Sequence, residues 1–323
     1  MLFGLGGKDN EIIRKNNAVY FLFINAGLWG STYVWSKLLL SYLPHFWILF
    51  LNSLGGLIIT VFVFRYRFEK IKVRYILSSV AVSSMSVISN IFFIFALQYT
   101  SSANTAFIVQ LSVIIAPIIM ALIERRMPDR RIIMSAFTAL FGLFLLTFDF
   151  GRDYKPAIGD LLAVGNALFF SFSLIGQKYN LKNVKPLQFT LIFHATNTIL
   201  FFLLAITFDA WCITDVWRLD IDKMVQAPFI ILVIANISVT VLTILFQSAA
   251  MKYVRPEKAT IIYTLEPLIA AVLAFIFMGE KMEGINSFIG AALILASVVY
   301  SVLGSKELGS KELGSKENVE ELP

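Results

Sequence analysis

The sequence predicts an all-α polytopic membrane protein: ten transmembrane helices arranged as two inverted five-helix repeats. Three observations carry this. The 323-residue chain is 58% hydrophobic and 15% charged, with a mean hydropathy of +0.78, whereas an ordinary soluble domain is about 25% charged. That leaves too little polar surface to cover a water-soluble exterior. Its uncharged stretches reach the roughly 20 residues a helix needs to cross the hydrocarbon core. Lysines and arginines collect on alternate sides of those stretches, as membrane topology demands. The same composition excludes disorder. Cys212 is the one cysteine, and His45 and His194 are the only histidines. A disulfide scaffold is therefore excluded, and neither a metal site nor a cofactor is expected.

In chain order, Asn16–Ser36 and Leu38–Phe64 supply the first two spans. Tyr75–Ile123 is 49 residues, too long for one helix. The polar run Gln98-Tyr99-Thr100-Ser101-Ser102 divides it into the third and fourth. Ile132–Phe148 and Leu161–Gln177 follow at 17 residues each, then Pro186–Phe208 and Met224–Met251. The ninth, Ala259–Gly279, holds one charge, Glu266, and the tenth is Gly284–Ser305. Strands of a membrane barrel would alternate over about 10 residues instead, and no third architecture satisfies the backbone in lipid.

With the N-terminus in the cytoplasm, the inside segments carry 21 lysines and arginines and the outside segments 6. Every inside segment has at least three, and no outside loop has more than two. An error of one span would scramble this alternation. A multi-pass protein of the cell (inner) membrane with both termini cytoplasmic is expected. Its basic balance serves topology and anionic headgroups of the lipid bilayer, not nucleic acid. Residues 1–17 are the cytoplasmic N-terminus. The apolar run after Lys15 is long and has no A-x-A-like cleavage site, so Ala18–Leu40 reads as a retained helix rather than a signal peptide. From Gly304 the chain repeats GSKEL, GSKEL, GSKEN. Residues 304–323 are read as a low-complexity cytoplasmic tail, solvated or partly helical.

The membrane part divides into two similar halves, 18–150 and 151–303. Trp29-Gly-Ser-Thr-Tyr-Val-Trp-Ser-Lys37 aligns with Phe170-Ser-Phe-Ser-Leu-Ile-Gly-Gln-Lys178 at an offset of 141. Ala96-Leu-Gln-Tyr99 aligns with Ala250-Met-Lys-Tyr253 at 154. Ser135 and Gly142 pair with Gly290 and Ser297 at 155, the offset growing through a longer loop near Asp209–Gln226. Five spans per half is an odd number, so the second half enters from the opposite side. Such inverted repeats are the physical basis of alternating access. Lys37 and Lys178 are then repeat equivalents on opposite membrane faces.

Gly27-Leu-Trp-Gly-Ser-Thr-Tyr-Val-Trp-Ser-Lys37 resembles the first-helix pattern of the EamA-type transporters of the drug/metabolite transporter superfamily. Gly159-Asp-Leu-Leu-Ala163 resembles the start of the family's second repeat. Leu265-Glu266-Pro267, Gly279-Glu280-Lys281 and Gly290-Ala-Ala292 follow in the family's order, so the resemblance covers about residues 18–303. It implies ten helices in two inverted bundles around a cavity open to one side at a time. It also implies transport of a small-molecule substrate such as an amino acid, amine or drug, often outward. The first half departs from the pattern. Ser112 occupies the place of Glu266, and Pro117 lies four residues after the equivalent of Pro267. The two half-sites are chemically unequal.

Glu266 is the only acidic residue well inside a span, seven uncharged residues past Lys258, or roughly 10 Å at the helical rise. A central acid costs about 3 kcal/mol on the lenient insertion scales, so such groups face a cavity and carry function. It reads as a counter-ion for a cationic substrate, a proton carrier, or a structural carboxyl packing helices together. Pro267 follows it and, lacking an amide hydrogen, frees the carbonyl at Tyr263. Tyr263 shares the face of Glu266, as a partner or a stacking surface. His194 lies mid-span with Asn197 on its face, either as a proton relay or bonded to a neighbouring helix. Asn90, Gln110, Asn236 and Gln247 also lie inside spans, where polar side chains bond between helices. Gln110 is the preferred cavity residue, since it sits across from Thr264 in the repeat. Asn25, Trp29 and Tyr33 share one helix face and offer rings to an aromatic or cationic substrate, or to packing. Trp47, Trp211 and Trp217 suit an aromatic belt. Pro267 and Pro117 are read as helix breaks.

A secondary transporter leads, with proton or cation coupling, as a monomer or a homodimer. No Walker A loop supports direct ATP drive. An intramembrane enzyme would need paired acids, a metal site or an activated nucleophile at suitable spacing, and none is present. A lipid scramblase or a non-transporting scaffold is the remaining alternative.

Overall fold

The computed structural model describes residues 17–40, 42–64, 70–100, 102–147, 157–209, 227–278 and 285–320. The helices are α1 (Ala18–Leu39), α2 (His45–Phe64), α3 (Val73–Tyr99), α4 (Ser102–Val109), α5 (Ser112–Glu124) and α6 (Arg130–Thr147). They continue as α7 (Ile158–Asn180), α8 (Pro186–Phe208), α9 (Ala227–Met251), α10 (Pro256–Tyr263), α11 (Leu265–Met278) and α12 (Ile285–Glu320). No strand occurs among the described residues. Residues 1–16, 210–226 and 321–323, which include Trp211, Cys212 and Trp217, lie outside them.

Among the described residues, eight stretches are long and apolar enough to cross a membrane: His45–Phe62, Val73–Ala96, Phe107–Glu124, Ile158–Asn180, Pro186–Phe208, Pro228–Met251, Pro256–Phe277 and Ile285–Val302. The sequence reading expected ten spans. The two helices short of the criterion are α1 and α6. The first is diluted by Asn25, Gly27, Gly30, Ser31, Thr32, Ser36 and Lys37. Polytopic character is nonetheless plain from the surface. Leu122, Leu161 and Phe62 are 74%, 72% and 71% exposed, while Asn25, His194 and Glu266 are 0%, 0% and 5%. Apolar side chains outside and polar ones within is the arrangement a lipid solvent selects.

The principal packing pairs are α3 with α7, α6 with α12, α2 with α8, and α1 with both α9 and α11. Small residues allow close approach. A Cβ on Gly142 of α6 would lie 2.8 Å from the carbonyl oxygen of Gly290 of α12. Ser83 and Ser89 are buried on α3, and the Ser89–Asn166 bonds of 2.8–3.1 Å tie it to α7. Ser79 Oγ likewise donates to Asn180 Oδ1 (3.1 Å).

Contacts at the helix ends fix the relative directions of several helices. At one end, Thr100 Oγ1 donates to Asp160 Oδ1 (2.7 Å). The Phe46 amide, in the first turn of α2, donates to Asp209 Oδ2 (3.0 Å). Asp209 thus caps α2 from the far end of α8. Burial raises its carboxyl above the ordinary value, and the Phe46 and Trp47 amides oppose that rise. At the other end, Arg255 joins Glu124 (2.8 Å) and Glu257 (2.6 Å), linking the finish of α5 to the start of α10. Lys178 Nζ donates to the Lys252 carbonyl (3.0 Å), just past α9. Asn236 Nδ2 donates to Ser36 Oγ (3.3 Å), near Lys37. Positions 236 and 252 are about 24 Å apart along a helical rise of 1.5 Å. Beyond Val302, α12 continues as helix through the GSKEL repeats to Glu320. At 36 residues it spans roughly 54 Å, well over the hydrocarbon thickness.

Candidate functional site

Two interruptions organise the interior. One lies at Gln110 and Leu111, between α4 and α5; the other lies at Thr264, between α10 and α11. Thr264 turns its own polar groups back on the chain. Its Oγ1 (2.7 Å) and amide (3.2 Å) both donate to the Ile261 carbonyl. Such local bonding competes with helix continuation. Pro267 falls in the first turn of α11, where its missing amide hydrogen costs nothing. Pro117 behaves differently from the sequence expectation. Here α5 runs unbroken through it, and the interruption falls at Gln110–Leu111. One lost backbone bond inside a packed membrane helix is tolerated, since buried neighbours restrain the turn.

Tyr263 ends α10 and is 2% exposed. Trp29 stacks on it (centroids 5.4 Å, 30°) and also meets Phe170 of α7 (5.6 Å). Asn25, one turn before Trp29 on α1, donates Nδ2–H to the Tyr263 hydroxyl (3.0 Å). That hydroxyl donates to Gln247 Oε1 (3.3 Å). Gln247 Nε2 donates to Gln177 Oε1 (2.8 Å), and Gln177 Nε2 donates to Ser248 Oγ (2.9 Å). Thr190 Oγ1 lies 3.5 Å from Ser248 Oγ. One buried hydrogen-bond ladder therefore links α1, α10, α9, α7 and α8.

Glu266 sits just past the Thr264 interruption, buried, with Oε1 lacking any partner among the described residues. Gly30 brings α1 against its turn. A Cβ there would lie 2.9 Å from Ile269 and 3.0 Å from the Glu266 carbonyl. The site therefore combines a three-ring aromatic wall, an amide-rich ladder and an unpaired carboxyl group at a helix break.

The remaining sequence candidates distribute around this centre. Gln110 is buried at the other interruption. Asn90 stays within its own helix, donating to the Ser86 carbonyl (2.9 Å). On α8, His194 packs against Gly56 of α2 one turn from Thr190, and Asn197 lies one turn further on. Both His194 nitrogens and Asn197 Oδ1 lack partners among the described residues. A buried polar group left unpaired costs about 1–3 kcal/mol. Asn52 Nδ2 donates to Asn236 Oδ1 (3.1 Å), joining α2 to α9. Tyr33 belongs to α1, and its side chain lies outside the described residues. Gln177, Ser248 and Thr190 are ladder members that sequence reasoning missed. Gln177 borders Lys178 and reads as a span end, and Ser and Thr are too common in membrane helices to stand out.

Residues 16–148 and 157–303 each match the EamA-like transporter family. The chain belongs to that family. An uncharacterized transporter from Archaeoglobus fulgidus is 27% identical over 205 residues, covering 63% of this chain and 61% of that protein. This chain thus spans less than two thirds of the length of the curated relative it matches. A crystal structure described only as that of a protein shares the fold. Its TM-score is 0.73 at 16% identity, over 91% of this chain and 99% of that one. Trp29 lies in the first segment matched to the EamA-like family, and Phe170, Tyr263 and Glu266 lie in the second. The site of this EamA-like protein is therefore assembled across both.

Proposed function

We propose that this membrane transporter is a secondary active carrier. It moves a small metabolite (an amino acid, amine or drug-like solute), in the outward direction, by alternating access driven by an ion or substrate gradient. In this reading the chain makes ten spans. The pairs α4–α5 and α10–α11 each count as one interrupted span, and α1 and α6 complete two inverted halves, 18–150 and 151–303. Both ends face the cytoplasm of the cell membrane.

The observation that carries the reading is the pair of interruptions. The eight-residue α10 repeats the eight-residue α4 at an offset of 154 (256 minus 102). The two run oppositely, because the end of α5 meets the start of α10 at Arg255 and Glu124. Broken helices of this kind, at the interface of inverted repeats, form substrate sites near the bilayer midplane. The packing pairs support the same symmetry. Exchanging the two halves turns α3 with α7 into α9 with α1, and leaves α2 with α8 and α6 with α12 unchanged; all four pairs occur. Inequality between the half-sites is also present, with Glu266 at one interruption and Ser112 at the other.

A thermal-shift screen of the purified protein against amino acids, polyamines and nucleosides is expected to identify a stabilising solute. Proteoliposomes loaded with that solute should then show saturable counterflow. Lipid flipping without solute exchange would overturn the carrier reading in favour of a scramblase.

A further inference from the structure

A second polar centre lies away from the Tyr263–Glu266 site, in the seam between α2 and α8. His194 is fully buried at mid-α8, and its Nδ1 and Nε2 both lack hydrogen-bond partners among the described residues. Three more buried atoms on these helices are unpaired among the described residues, Asn197 Oδ1 on α8 and Trp47 Nε1 and Thr60 Oγ1 on α2. Thr60 is one turn from Gly56 on α2. Gly56 closes the seam directly on the ring, for a Cβ there would lie 2.5 Å from Nδ1 and 2.6 Å from Cε1. Phe193 meets the imidazole edge-on (5.8 Å, 86°).

No fixed charge faces the ring from the helices packed on α8. Those helices are α2, α3 and α9. On α2 the only titratable residue is His45, eleven positions from Gly56. On α3 Arg74, Tyr75 and Tyr99 lie at the two ends, and α9 has none. A histidine held this way has nothing to bond to while the seam is shut. Its lone pair becomes usable only when α2 moves off and water enters. The ring is also one turn from Thr190, the end of the hydrogen-bond ladder that begins at Asn25 and Tyr263. Motion at the substrate site therefore has a bonded route to the seam.

We infer that His194 is an intramembrane proton-binding site, shielded while Gly56 of α2 rests on the imidazole and opened to water when α2 parts from α8. The inference deepens the carrier reading and rests on it for the opening step. It names the proton as the coupling ion and adds an imidazole nitrogen to the Glu266 carboxyl as a group that can hold it.

The test uses the full-length protein in lipid bilayers with 15N-labelled histidine. Only His45 and His194 contribute signals, and H45Q leaves one to follow, with the wild-type spectrum as the control for fold. Between about pH 8 and pH 5, where an imidazole changes charge, the His194 ring is expected to pass from one N–H and one bare nitrogen to N–H at both positions. A single neutral tautomer throughout that range overturns the proposal. The two readings fail separately. Titration of His194 without solute counterflow removes the carrier and keeps the proton site, and counterflow with a silent His194 does the reverse.

Discussion

Gly290→Ala is expected to destabilise the folded protein by about 3 kcal/mol, at the upper end of what overpacking costs. The reason is the identity of the atoms the new methyl would meet. It would fall on the Gly142 carbonyl oxygen, 2.7 Å from the Leu146 amide nitrogen and 3.2 Å from the Leu145 carbonyl carbon. All three are backbone atoms of a regular helix, so none can swing aside as a side-chain tip would. Relief requires α6 and α12 to separate, and dense interiors resist such displacement. Ser135, seven residues before Gly142, and Ser297, seven residues after Gly290, are buried as well. Gly27→Ala is the matched control. Nothing lies within 4 Å of a Cβ at Gly27, and alanine is the better helix former by up to about 1 kcal/mol. Thermal unfolding followed by circular dichroism should therefore separate the two. Equal midpoints would mean that the α6–α12 seam is looser than the structure has it.

Much of the fold was legible in the sequence because lipid imposes few solutions. Charge-free stretches mark helices, and the lysine and arginine bias orders them, without any knowledge of tertiary contacts. The offset of 154 read from Ala96 and Ala250 also relates α4 to α10. That correspondence is visible in sequence because short broken helices carry distinctive boundaries. The tail was harder. Nothing in GSKEL distinguishes a solvated coil from an extension of α12, and the helix continues through it. Pro117 misled for a related reason. Proline marks a weak point in a helix, and whether the helix breaks there depends on neighbours the sequence does not name. In the site, Tyr263, Glu266, Asn25 and Trp29 stood out because each is costly or unusual in a membrane span. Gln177 and Ser248 did not. Their role exists only through partners 71 positions apart in the chain, and no local pattern announces a bond of that separation.

Glu266→Gln is expected to slow solute exchange about tenfold, or about 1.4 kcal/mol of barrier, and to alter its pH dependence, while the protein stays folded. The substitution keeps shape and hydrogen-bonding reach and removes only the ability to gain or lose a proton and carry charge. Glu266 takes no part in the ladder, which runs from Asn25 through Tyr263, Gln247 and Gln177 to Ser248. Its Oε1 has no partner to lose. Thermal stability should therefore be unchanged or slightly higher, since an unpaired ionisable group in the membrane interior is a cost to the fold. Tyr263→Phe provides the opposite signature. It keeps the ring against Trp29 and deletes the hydroxyl that both Asn25 and Gln247 use, leaving two buried amide groups short of a bond at about 1–3 kcal/mol each. Stability should fall. The two variants thus divide the site into a carboxyl group that works during the transport cycle and a ladder that holds five helices in register. If Glu266→Gln exchanged solute with wild-type kinetics at every pH, the carboxyl would belong with the ladder as packing, and the driving ion would have to bind elsewhere.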